Sequence, residues 1–139
     1  GCGGDRDRAK RPLMAAASEE LSDWSILTAD NPRTEDPARI ISEMRAGLRT
    51  SRYDEIPDRT EAIRRAVTLA GAGDIVLIAG KGHETYQEFA DRKIPFDDVA
   101  VARRAIEEKR IELEESGPAA ESEDAGVSGR THPKPEGEG

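Results

Sequence analysis

Apolar and polar positions change period repeatedly along the chain, and each change marks an element. Residues 11–22 carry Leu13, Ala17 and Leu21 at helical spacing, with Pro12 tolerated in a first turn. Residues 25–29 form a short apolar run with the length of a buried strand. Asp36 before Pro37 is a helix start: a capping carboxylate, then a ring whose missing N–H is harmless in the first turn. Ile40, Ile41, Met44 and Leu48 then mark one apolar stripe. Asp58, with Glu61 three positions on, makes a capping box for a helix lined by Ile63, Ala66, Val67 and Ala70, and Gly71-Ala72-Gly73 stops it. Residues 74–79, "DIVLIA", form the clearest strand, apolar on both faces as a central parallel strand between helical layers must be. Gly80-Lys81-Gly82 ends it. Two weaker extended pieces, 85–89 and 93–96, precede a last helix from about 97 to about 114, with Val99, Ala102 and Ile106 expected inward.

Helix and strand signals in alternation predict an α/β unit with a mainly parallel sheet and helices on both faces. Residues 1–115 are expected to form this domain. Residues 116–139 contain no Leu, Ile, Met or aromatic residue and are rich in Gly, Pro and Glu, so a disordered tail is expected there. The opening "GCGGDRD" is a glycine-rich turn of the kind that follows a strand. The domain is therefore expected to be a piece of a longer chain, truncated at its N-terminal strand.

Charge narrows the partners. Of 139 residues, 36% are charged and the net charge is −8, which argues against a nucleic-acid partner because phosphate backbones are repelled. The longest apolar stretch, 75–79, falls far short of the roughly 20 residues of a spanning helix, so no membrane partner is expected. Cys2 is the single cysteine and cannot form an internal disulfide, which fits a cytoplasmic location.

Ligands of open α/β sheets sit beyond the carboxyl ends of the strands. Two expected strands end in unusual chemistry, Asp30-Asn31-Pro32-Arg33 and Gly80-Lys81-Gly82-His83-Glu84, and the opening loop would be a third such segment. Together they would bring Arg6, Asn31, Arg33, Gly80 and Glu84 within reach of one ligand, with Asp30, Pro32, Lys81, Gly82 and His83 as supporting loop. Arginine offers a planar fork to a carboxylate, asparagine a donor and an acceptor, and glutamate accepts from an ammonium. Both signs around one pocket suit a zwitterion such as an amino acid.

Plainer readings stand beside this one. Asn-Pro after a strand is a common turn. Gly80-Lys81-Gly82 resembles a phosphate loop, yet position 82 is Gly where Ser or Thr is required. His83-Glu84 lacks a second histidine at zinc-helix spacing, so no metal site is expected. Asp5 and Asp7 read as loop caps or as partners of Arg6 and Arg8, and Cys2 as an inert small residue.

Taken together, "GCGGDRDRAKRPLM", "DNPRTEDP", "AGKGHETYQ" and "PFDDVAVAR" fall in the order and spacing of the C-terminal domain of Mur ligases, and the chain resembles that family over about residues 1–110. The resemblance implies a Rossmann-like domain from an ATP-dependent ligase of peptidoglycan synthesis. In that reaction a D-glutamate carboxylate of UDP-N-acetylmuramoyl-dipeptide is phosphorylated and then attacked by an incoming amine. The "DNPR" form resembles the meso-diaminopimelate-adding type. The resemblance implies that Arg6, Asn31, Arg33, Gly80 and Glu84 bind the far end of that amino acid. ATP and Mg2+ would serve the parent ligase, while this chain alone would carry no catalytic residue, need no cofactor and not ligate. The alternative is a stand-alone, non-catalytic amino-acid-binding or interaction domain, or a gene remnant, that keeps the fold. A third reading, a phosphate-binding α/β enzyme, rests on Gly80-Lys81-Gly82 alone.

Overall fold

The computed structural model describes residues 1–117, and the expected tail falls almost wholly outside the described residues. Helix α1, Lys10–Leu21, leads to strand β1, Ser25–Leu27, then helix α2, Pro37–Arg45, and strand β2, Tyr53–Glu55. Helix α3, Arg59–Leu69, is followed by strands β3, Tyr86–Glu88, and β4, Lys93–Pro95, and by helix α4, Asp98–Ser116. The class is α/β. β1 and β2 pair in parallel, Ser25 opposite Tyr53 and Leu27 opposite Glu55, across the helical crossover that parallel pairing requires. β3 and β4 pair antiparallel. Two isolated parallel bridges, Cys2 with Ala29 and Arg33 with Phe89, tie the opening segment and the hairpin to the loop after β1.

The capping signals hold: Asp36 accepts from the Ala38 amide and Asp58 from the Glu61 amide. In α4, Asp97 caps in the same way, accepting from the Val99 amide. Ile40, Ile41 and Met44 are buried as expected and pack with Cys2, Ala15 and Leu27 into one core, with Leu48 and Tyr53 against it. Burying such side chains is worth roughly 1.5–3 kcal/mol each.

Three expectations fail, each because a pattern states an apolar face but not its partner. Leu13 and Leu21 of α1 are exposed; Arg11 and Ala15 face inward, since α2 packs on that side and brings Glu43 to Arg11. In α4, Val99 and Ile106 are exposed and Ala105 is buried, because a small side chain lets α3 approach closely. Residues 74–79 form no ladder with any described residue, and Ile75 and Leu77 are 93% and 85% exposed. A strand is completed by a neighbour's backbone, and none lies alongside this segment among the described residues. The mainly parallel sheet is thus seen only in part. Gly1 stands between the ends of the two apolar runs: a Cβ there would lie 2.7 Å from the Thr28 carbonyl oxygen, and one on Gly80 would lie 3.0 Å from the Gly1 oxygen.

Candidate functional site

Three segments meet after the end of β1. The opening loop is pinned to the next by the Gly4 amide, which donates to the Asn31 carbonyl at 2.8 Å. Gly4 must be glycine, since a Cβ there would lie 1.8 Å from the Pro32 carbonyl oxygen. The third segment closes on the second through the Arg33 amide, which donates to the Glu88 carbonyl at 2.9 Å, and through Gln87, whose Nε2 donates to the Asp30 carbonyl. Asp5 and Arg33 both adopt left-handed backbone (φ 53° and 50°), a conformation that L residues hold only where the surroundings impose it.

Asn31 lies at the centre and is 1% exposed. Its Oδ1 accepts from Lys81 Nζ at 2.8 Å and from the Glu88 amide at 3.0 Å, and its Nδ2 donates to Glu84 Oε2 at 2.8 Å. On one side, Arg33 Nε donates to Glu88 Oε2 at 3.2 Å and Lys93 Nζ lies 3.6 Å from Glu88 Oε1. Two cations share one carboxylate there, leaving a positive charge in excess. On the other side, Lys81 Nζ lies 3.1 Å from Asp30 and 3.9 Å from Glu84, so two carboxylates share one cation. The site is a dipole of opposite excess charges bridged by an asparagine. Arg33 Nη1 also donates to the Gly4 carbonyl at 2.9 Å, and its Nη2 has no hydrogen bond among the described residues.

The sequence reading placed Arg33 and Glu84 on one ligand, and the structure joins them through Asn31 and the segment from 84 to 88. A cavity of about 320 Å³ lies beside this cluster and is lined by Arg6, Asp30 and Gly80 among others. Arg33, Asn31 and Glu84 are not in that lining; Arg33 connects to it through Gly3 and Gly4. Arg6 is exposed, and its only hydrogen bond among the described residues is Nη1 to the Asp5 carbonyl. Gly80, at φ 118°, lets the chain pass Gly1 closely. Of the supporting loop, Pro32 and Lys81 are buried whereas Gly82 and His83 are exposed. The phosphate-loop reading does not survive, because Lys81 is spent on Asp30, Asn31 and the Tyr86 carbonyl and has no exposed side-chain surface. Asp5 caps Thr34 and Asp7 the Ala9 amide. Burial pushes the Cys2 thiol up.

Sequence reasoning missed the ions that hold the loops. Arg11, buried in α1, donates to Glu35, Glu43 and the Gly3 carbonyl, and so fixes the opening loop against the segment after β1. Its guanidinium holds the Glu35 carboxyl at about 2; Glu43 is also held at about 2, chiefly by its bond to Arg8 and then by Arg11. Arg59, at the start of α3, donates to both Asp98 oxygens at 2.7 Å and to the Ala29 and Ala79 carbonyls. Glu88 also escaped notice. Arginine at a helical position reads as solvated surface, and nothing in the sequence pairs Arg11 with Glu35 and Glu43, 24 and 32 positions away.

The family described as "Mur ligase, glutamate ligase domain" matches residues 1–82, which include Arg6, Asn31, Arg33 and Gly80 and stop two positions before Glu84. The chain is 58% identical over 112 residues to the UDP-N-acetylmuramoyl-L-alanyl-D-glutamate--2,6-diaminopimelate ligase of Geobacillus thermodenitrificans, covering 79% of this chain and 23% of that protein. It is 56% identical over 108 residues to the enzyme of the same name from Solibacter usitatus, covering 76% and 22%. A solved structure of UDP-N-acetylmuramoyl-L-alanyl-D-glutamate--2,6-diaminopimelate ligase superposes with a TM-score of 0.75 at 54% identity, over 79% of this chain and 23% of that one. The chain thus spans just under a quarter of the length of these relatives. By sequence match and by superposition alike, it belongs to the Mur ligase family.

Proposed function

We propose that these residues form the acceptor amino-acid site of a ligase that adds meso-diaminopimelate to UDP-N-acetylmuramoyl-L-alanyl-D-glutamate, and that the described chain binds this amino acid without joining it to anything. The observation that carries the reading is the dipole about Asn31: an excess positive charge at Arg33 and an excess negative charge at Glu84, one buried side chain apart. A ligand tip bearing a carboxylate and an ammonium on one carbon fits that pair, whereas a lysine tip offers only the ammonium. Arg33 has its Nη2 edge to present to the carboxylate, Arg6 supplies a second guanidinium, and Glu84 accepts from the ammonium. A Rossmann-like sheet is supported by the parallel pairing of β1 with β2 and by the two parallel bridges.

ATP and Mg2+ would serve the parent reaction. Lys81 is buried in its own ion pairs and is not free to reach a phosphate. Titration calorimetry with meso-diaminopimelate and with lysine tests the reading. Specific heat from the former, reduced in Arg33→Ala, is expected; equal binding of lysine, or no heat from either, overturns it. A non-binding remnant would give the second result.

A further inference from the structure

Lys81, we infer, is a positioning residue that sets the orientation of the Asn31 amide and thereby aims Glu84 at the ligand's ammonium. The inference rests on the amino-acid site proposed above, to which it adds a residue that touches no ligand. An asparagine amide can sit either way round, and only its neighbours decide. An ammonium has three donors and no acceptor, and the Glu88 amide is likewise a donor. Both face the same atom of Asn31, at 2.8 and 3.0 Å, so that atom is the oxygen. The amino group is then turned to Glu84 Oε2 at 2.8 Å. The reversed amide would set its NH2 against an ammonium and an N–H, and its oxygen against a carboxylate.

Lys81 is committed to this task, because its Nζ also donates to the Tyr86 carbonyl at 2.6 Å and its side chain has no solvent exposure. Asp30 neutralises it at 3.1 Å, although Asp30 Oδ1 accepts no hydrogen bond of good geometry. Because Asp30 takes the lysine's charge, the negative charge of Glu84 remains for the ligand.

The test uses the full 139-residue chain. Without ligand, the Asn31 side-chain amide protons are expected to exchange slowly with solvent. That exchange should accelerate tenfold or more in Lys81→Met and in the charge-balanced pair Asp30→Asn/Lys81→Met, which removes both buried charges so that the fold survives. Rapid exchange in the unsubstituted chain, or unchanged exchange in either folded variant, overturns the inference. With ligand, Lys81→Met should weaken meso-diaminopimelate tenfold or more and leave pimelate, the same diacid without amines, within twofold. Equal loss for both makes Lys81 a mere support of the loop and also overturns it. Failure of the unsubstituted chain to bind meso-diaminopimelate would instead sink the proposed function, while the exchange measurement still judges Lys81.

Discussion

A single carbonyl contact shows how closely the opening loop is built. Replacing Gly4 with Ala would drive a methyl into the Pro32 backbone, which no rotamer change relieves. Overpacking of this kind costs about 1–3 kcal/mol, so Gly4→Ala is expected to lower the melting temperature and to weaken ligand binding together. A melting curve identical to that of the parent would show that the loop yields instead. Arg33→Ala removes a guanidinium held between Glu88 and the Gly4 carbonyl. It should weaken meso-diaminopimelate by about 2 kcal/mol or more by calorimetry, with unchanged circular dichroism as the control. Asn31 and Arg33 could be picked out from "DNPR" because a turn does not need an arginine. Lys81 was expected only as part of the supporting loop; its burial against Asp30 and Asn31 shows in the tertiary structure alone.

Helices here are joined by ions as much as by apolar stripes. Arg59, itself buried, carries α3 to α4 through the partly exposed Asp98, so Arg59→Ala removes a buried guanidinium and leaves the Asp98 carboxylate without its partner. A loss of about 3–5 kcal/mol is expected by urea unfolding; a loss below 1 kcal/mol would mean that water replaces the pair. α1 and α2 are joined by Arg11 and Glu43, and Glu35 extends the join to the loop before α2. Both carboxyls ionise in the folded chain at about 2, below the 4.5 of a free glutamate. A lowered carboxyl contributes stability above its unfolded value and loses it as pH falls through the folded one. Stability should therefore drop between about pH 4.5 and 2, and a Glu35→Gln/Glu43→Gln variant should be weaker at neutral pH with a flatter acid limb. Parallel urea midpoints across that range would contradict this. The caps of α2 and α3 were readable because they are local, a carboxylate and an amide two or three residues apart. Which face of α1 or α4 turns inward was not, since that depends on the helix it meets.

At the scale of the molecule, Ile75 and Leu77 of the apolar segment 74–79 lie open to solvent. No described helix is long and apolar enough to cross a membrane. An open apolar cavity of about 380 Å³, lined by Val76, Ile78 and Ile106 among others, adjoins this segment and lies apart from the polar site. Exposed apolar edges promote association between copies. Ile75→Ser/Leu77→Ser should reduce light scattering at high concentration while shifting stability by no more than about 0.5 kcal/mol, the usual range for exposed positions. A large fall in melting temperature would show that these side chains are packed in solution.

From the order of its residues alone, the chain determined its α/β class, its caps, the core stripe of α2 and the three polar segments that carry the candidate site. All of these rest on interactions spanning a few residues or on a linear order of motifs. Tertiary structure decided which helix faces are buried, that residues 74–79 find no ladder partner among the described residues, and that buried cations hold the loops. Those outcomes depend on groups 20 to 60 positions apart arriving at hydrogen-bond distance, and a periodicity carries no information about what will stand opposite it.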